Sequence, residues 1–328
     1  MDLQIRLMQK DDAPGVVELY RAVYGDHYPV ASVYDPEAIL AAQEAGDFFR
    51  VLAILDGRVV GQTAVYRSDP PNRDLYEEGQ AIVLKELRNQ DIMGKTMGLA
   101  HSRIYPEKGL HNLWGEAVCN HVFMQKAGIR LGYVFTGMEI DLMPADAYEM
   151  EKSSSGRVSA LIGFKVKDSE HRRVHLHPAY ADILPSFYEG LSLSRDFVVA
   201  SSPLTDTQSR LTESLYPDAG VARFTFLELG MDFVDILKKK ENEAVDQGCT
   251  VIQVFLDLSR PEVVTAIEIL RHQAYFLGSA LPCWYGNDGI LMQKLLHEPN
   301  IEGIKVHGER SESILATILK DREATRRD

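Results

Sequence analysis

The stretch LRNQDIMGKTM, residues 87–97, decides how the first half of this chain is read. Its Gly94-Lys95-Thr96 ending is that of a nucleotide P-loop. That motif also needs a glycine at position 89, where Asn89 stands, and no Asp-ending hydrophobic strand for magnesium follows downstream. The P-loop reading therefore fails. What remains is a basic residue, Arg88, then a polar turn, then a helix start near Gly94. Backbone N–H groups at such a turn, backed by a helix N-terminus, receive an anion without needing a side chain.

The surrounding chain bounds what that turn can belong to. At 328 residues it is long for one domain and comfortable for two. Its 45% hydrophobic and 25% charged content is that of a soluble globular protein. No apolar run approaches the roughly 20 residues of a membrane helix, and MDLQIRLMQKDD at the start has no signal-peptide core. A net charge of −13 disfavours nucleic acid and acidic membrane surfaces as partners. Three widely spaced cysteines, Cys119, Cys249 and Cys283, read as reduced thiols in a cytoplasmic protein.

Periodicity orders the elements. Residues 3–9 alternate as a strand, and 12–25 and 35–46 are helices, the second with Asp-Pro at its start and Gly at its end. Residues 48–68 form a hairpin around Asp56-Gly57. Then follow a strand at 79–88, the loop, a helix at about 94–107, a strand at 112–120, a helix at 121–133, and strands at 135–143 and 158–167. A strand at 221–230, a helix at 233–248, a strand at 250–259, a helix at 261–276 and a hairpin around Asn287-Asp288-Gly289 repeat the later part of that order about 140 residues on. A charged helix at 311–324 closes the chain. HRRVHLHP carries His171, His175 and His177, but no cysteine or carboxylate completes a metal set, so it reads as a solvated linker strand and no metal is expected.

This order resembles the GNAT acyltransferase superfamily. The residues that carry the resemblance are Val83 five positions before Arg88, Asn120 at the end of the following strand, and Gly132-Tyr133 closing the next helix; EAVCNHVFMQKAGIRLGYVFTGMEIDL (116–142) is the most specific part. The resemblance implies an α/β (α+β) fold of two tandem GNAT-like domains, 1–168 and a degenerate 169–328, each a mixed, mostly antiparallel twisted sheet flanked by helices. It implies an N-acyltransferase that moves an acetyl or other acyl group from acyl-CoA, acetyl-CoA foremost, to a small-molecule or protein amine.

Residue by residue, the pantetheine arm would pair with the backbone of Ile82, Val83 and Leu84. The pyrophosphate would sit on Arg88, Asn89, Gln90, Asp91, Ile92, Met93, Gly94 and Lys95, with Asn120 nearby. Asp91 and Met93 stand where the family has glycine and a small residue, and Asp91 puts a carboxylate beside a dianion. Glu116 and Glu78 are candidate bases, Glu116 because burial would raise its pKa. The family's usual acid position is Gly128 here, which leaves His121 as a substitute. Tyr24, Asp26, His27 and Tyr28 lie where the acceptor site is shaped. The second half, with its ELGMDF turn, lacks a basic opening residue and is expected to hold no cofactor. The contrasting expectation is a non-catalytic binding module that has lost the cofactor, favoured by Asp91, Met93 and Gly128.

Overall fold

A computed structural model describes residues 2–26, 28, 30–144 and 156–326. By contacts they group into two compact units, one running to Glu116 and the other holding Ala117–Pro144 and the chain from Gly156 onward.

The first unit is a five-stranded sheet with helices on both faces. Its strands are β1 (Leu3–Leu7), β2 (Phe48–Leu55), β3 (Arg58–Tyr66), β4 (Leu75–Val83) and β5 (Asn112–Val118), in that spatial order. The β2–β3 turn uses Asp56 and Gly57 at φ 49° and 85°, the left-handed pair that a tight hairpin demands. Helix α1 (Ala13–Tyr24) buries Val16, Val17, Leu19, Tyr20 and Val23, the face its periodicity predicts. Helix α2 (Pro36–Glu44) starts where the Asp35 carboxylate accepts the Glu37 N–H at 2.9 Å. Helix α3 (Ile92–Leu99) continues through a π-helical turn into α4 (Tyr105–Lys108). Its Thr96 is tied to Thr63 of β3 at 2.8 Å.

Strand β4 departs from the expected 79–88. It begins at Leu75 and ends at Val83, and Lys85–Gln90 form a 3-10 turn. Adjacent Glu77 and Glu78 hide the strand's start, because charges on both faces erase the alternation that marks a strand.

The second unit holds α5 (Phe123–Leu131), β6 (Val134–Met143), β7 (Val158–Lys165), β8 (His171–His175), α6 (Ile183–Tyr188), β9 (Ser194–Val198), β10 (Arg210–Tyr216), β11 (Val221–Glu228), α7 (Phe233–Asp246), β12 (Val251–Asp257), α8 (Glu262–His272), β13 (Phe276–Leu281), β14 (Gly289–Leu295) and α9 (Glu309–Thr325). Its main sheet runs β7-β6-β13-β14-β12-β11-β10. The run β10-β11-α7-β12-α8-β13-β14 repeats the element order β3-β4-α3-β5-α5-β6-β7, and β11 and β12 are parallel as β4 and β5 are.

Strand β6 joins this unit because Gly137 meets Ser279 of β13; a Cβ on Gly137 would lie 2.3 Å from the Gly278 carbonyl oxygen. Gln293 reinforces the join by accepting the Ile140 N–H at 2.9 Å and donating to the Met138 carbonyl at 3.0 Å. The expected solvated linker strand is instead packed. Val174 and His175 are buried, β8 pairs with β9, and the His175 N–H donates to the Leu258 carbonyl at 2.9 Å. Alternating charge and histidine conceal a strand that buries one face against the second core. Among the described residues, no helix is long and apolar enough to cross a membrane.

Candidate functional site

The site is built on the first sheet where β4 leaves β5. Among the described residues the two strands pair over Leu75–Glu77 and Asn112–Trp114. Gly115 lets them approach once more, since a Cβ there would lie 2.7 Å from the Glu78 carbonyl oxygen. On its other edge β4 stays paired with β3, but with an irregularity between Gln62/Ile82 and Ala64/Gly79. Within it Gln80 adopts φ 50°, a bulge in the left-handed region. The bulge carries Gln80 to the Tyr20 hydroxyl, which donates to it at 2.6 Å and accepts from Gln62 at 2.9 Å.

One face of this sheet gathers ionisable groups. Register places Phe48, Tyr66, Glu77 and Trp114 in one row across β2 to β5. Phe48 stacks flat on Tyr66, with centroids 4.4 Å apart. The Tyr66 hydroxyl donates to the Glu77 carboxyl. Gly79 makes room for that pair: a Cβ there would lie 2.8 Å from the Tyr66 hydroxyl and 3.0 Å from Glu77 Oε1. Burial first and the negative charge of Glu116 second push the Glu77 carboxyl up to about 8, against the hydrogen bond from Tyr66. Burial and Glu77 likewise hold the Tyr66 phenol protonated well above its usual range.

Beside this row stands Arg50, 3% exposed, its guanidinium 3.9 Å from the Phe48 ring centroid. Tyr20, Tyr66 and Tyr28 act on it electrostatically, and burial depresses its pKa. Tyr28 and Tyr24 form an aromatic group with Tyr20 and Tyr34; the Tyr20–Tyr28 and Tyr24–Tyr28 centroid distances are both 5.1 Å.

The expected residues divide accordingly. Glu116 lies on the Glu77 face. Glu78 lies on the opposite face, 7% exposed, its carboxylate 3.1 Å from His101. Tyr24 and Tyr28 join the aromatic group. Asp26 is a surface partner of Arg21 at 3.5 Å, and His27 lies outside the described residues. Asn120 and His121 belong to the second unit; Asn120 is buried and His121 lies against Phe123.

Sequence reasoning missed Glu77, Tyr66 and Arg50. The available signal was period-2 counting from Trp114 and Glu116, but it needs the parallel register of β4 and β5, which no local pattern encodes.

The loop after β4 has a definite shape. Ile82, Val83 and Leu84 are buried in the first unit's core, and Arg88 turns back so that Nε donates to the Val83 carbonyl at 3.3 Å. Asn89 and Gln90 are exposed. Asp91, at φ 53°, is the residue before α3, and its carbonyl accepts the Lys95 N–H at 3.0 Å. Its carboxylate folds over the first turn of α3, 2.3 Å from where a Cβ on Gly94 would stand. Ile92 is buried beneath, Met93 is partly buried, and Lys95 is exposed with Nζ 3.4 Å from the Gln90 carbonyl. A cleft beside the loop is lined by Arg58, Lys85, Glu86 and Arg88 together with the apolar Ala22, Val23 and Leu84. The three cations outnumber the one carboxylate and suit an anion, whereas the Asp91 carboxylate adds negative charge at the start of α3 without capping it.

The equivalent turn of the second half is filled by its own chain. A Cβ on Gly230 would lie 2.4 Å from the backbone of Gln208, and the Asp232 carboxylate accepts the Ser209 N–H at 2.6 Å.

No family model and no curated protein matches the chain. Among solved structures it is similar to the ribosomal-protein-S5-alanine acetyltransferase of Vibrio fischeri, at 13% identity and TM-score 0.41, over 52% of this chain and 95% of that one. It is similar to the ribosomal-protein-S18-alanine N-acetyltransferase of Escherichia coli, at 12% identity and TM-score 0.40, over 52% and 97%. A third is an N-acetyltransferase of Thermoplasma acidophilum in complex with coenzyme A, at 14% identity and TM-score 0.33, over 51% and 100%. Each of these likenesses to acetyltransferases extends over about half of this chain.

Proposed function

We propose that the first half transfers an acyl group from an acyl-CoA thioester to an amine, with residues 1–168 as the working GNAT-like domain and 169–328 as a degenerate copy. The observation that carries this reading is the parting of β4 from β5 just past Glu77, which opens a strand edge beside a carboxyl whose pKa suits proton abstraction. Acetyl-CoA is the donor of choice, and the acceptor is a small-molecule or protein amine. Three buried free thiols suit a cytoplasmic location.

In this reading the amine nitrogen bonds to the thioester carbonyl carbon and the carbon–sulfur bond breaks. The electron pair of that bond leaves with the sulfur as a thiolate, Glu77 takes the proton that the nitrogen sheds, and the thiolate leaves as the thiol once water or the protonated Glu77 returns a proton. At pH 7 roughly a tenth of a carboxyl with a pKa near 8 is ionised, and a base of that strength is well matched to an amine. Tyr66 fixes the carboxyl's orientation, and Glu116 strengthens it as a base. Ile82, Val83 and Leu84 would offer backbone to the pantetheine arm, and Arg88 and Lys95 positive charge to the phosphates. Glu116, Glu78 and His121 remain proposals as acid–base groups, with Glu77 preferred over Glu78 because Glu78 is committed to His101.

Asp91 favours a second reading, a binding module without catalysis, because its carboxylate sits where the pyrophosphate would. Titration with acetyl-CoA separates the two. An acyltransferase is stabilised by about 2.7 kcal/mol at a hundred times the dissociation constant, an easily measured rise in melting temperature. No rise at millimolar acetyl-CoA would rule out the enzyme.

A further inference from the structure

Arg50 is the least explained charge in the first unit. Among the described residues, its Nε and Nη1 have no hydrogen-bond partner although both are buried. Its neighbours are rings and phenols: Phe48 beneath it, and Tyr20, Tyr28 and Tyr66 around it. None of these is an anion. A buried guanidinium without a carboxylate is costly to fold around, and such groups are ordinarily paired. The Phe48 ring 3.9 Å beneath it is a favourable contact within the strand, but a cation–π contact does not replace the hydrogen bonds that Nε and Nη1 lack.

Its position explains the retention. Arg50 pairs with Ala64 across β2 and β3, and Ala64 pairs with Gly79, the residue whose missing side chain makes room for Tyr66 and Glu77. The unpaired cation and the base thus lie on the same face of the sheet, with Arg50 enclosed beneath the aromatic group of Tyr20, Tyr24 and Tyr28.

We infer that Arg50 is the seat for a carboxylate on the acceptor, so that the substrate class is a small amine that also carries a carboxylate, such as an amino acid. This rests on the acyltransfer reading for the role of Glu77, but the binding seat can be tested without it. One guanidinium matches one negative charge, and a phosphate dianion would leave excess charge close to Glu77 and Glu116. Phe48 lies beneath the guanidinium, and its unpartnered Nε and Nη1 are two donors of the fork through which arginine binds a carboxylate by parallel hydrogen bonds. The enclosure of Arg50 suits a small molecule better than a protein chain.

The test uses the full chain without acetyl-CoA. Melting temperature is measured with each common L-amino acid at millimolar concentration, with the corresponding carboxamides, and with O-phosphoethanolamine. We expect at least one amino acid to raise it, its carboxamide to have no effect, and Arg50→Met to abolish the response. Arg50→Lys should keep the response with binding weakened about tenfold, as expected for exchanging a bidentate fork for a point charge. Arg50→Met without ligand should melt higher than the wild type, because the unpaired buried charge is gone. A lower melting temperature for ligand-free Arg50→Met, an equal response to carboxamides, a preference for O-phosphoethanolamine, or no response to any amino acid would each overturn the proposal. Failure of the acyltransfer reading is read separately, as absence of acetyl-CoA binding by the wild type and by Arg50→Met alike.

Discussion

Asp91→Gly should tighten acetyl-CoA binding, and the size of the effect follows from where the carboxylate lies. Asp91 Oδ1 is 2.3 Å from the position of a Cβ on Gly94, so it covers the turn whose N–H groups point out of α3. A pyrophosphate using those N–H groups would hold its charge roughly 5 Å from Asp91. At that separation two like charges repel by about 0.8 kcal/mol in bulk water and about 3 kcal/mol at an effective dielectric of ~20. The loop is exposed, so the lower figure governs. Two phosphate charges then give about 1.5 kcal/mol, a tenfold change in affinity.

The free protein should not suffer. Glycine relieves the φ of 53° that Asp91 adopts, which offsets the loss of a favourable carboxylate at a helix N-terminus, about 0.3–1 kcal/mol. Isothermal titration of both proteins at about 20 mM and about 300 mM salt makes the measurement, since the gain should shrink as the Debye length falls from roughly 20 Å to below 6 Å. An affinity ratio within twofold at both salt concentrations would refute the electrostatic argument. If neither protein binds, the donor assignment falls with it.

Glu77→Gln should lower kcat by about 10²- to 10⁴-fold and remove the rise in kcat/KM centred near pH 8, read from a pH–rate profile; an unchanged limb would move the base elsewhere. The same raised pKa acts on stability. Because the folded state holds the Glu77 proton above the ordinary value of 4.5, this group's contribution falls as pH rises from 4.5 toward about 8, and chemical denaturation of Glu77→Gln should lack that part of the slope. Gly137→Ala forces a Cβ to within 2.3 Å of the Gly278 carbonyl oxygen at the β6–β13 junction and should destabilise the second unit by about 3 kcal/mol, seen as a fall in melting temperature; a fall under 1 °C would mean the junction is loosely held.

Much of this protein follows from its residue order. The Asp56-Gly57 turn, the Asp35-Pro36 helix start and the buried stripe of α1 are local: a positive φ, a capping carboxylate and a 3.6-residue period act over a few neighbours and survive wherever the segment goes. The repeat of element order in the second half is the sum of such local signals.

The site was not. Adjacent Glu77 and Glu78 are chemically identical in the sequence, and only the pleat of β4 and its register with β3 and β5 send one to Tyr66 and Glu116 and the other to His101. Nothing in the strand FFRVLAIL marks Arg50 out, and only packing encloses it. Asp91 stands out in the sequence as a carboxylate in the turn after Arg88, but only the first turn of α3 decided that this carboxylate lies over Gly94. Local structure is set by contacts a few residues apart, whereas pKa, burial and pairing depend on groups brought together by strands distant in sequence, and those appear only once the sheet has assembled.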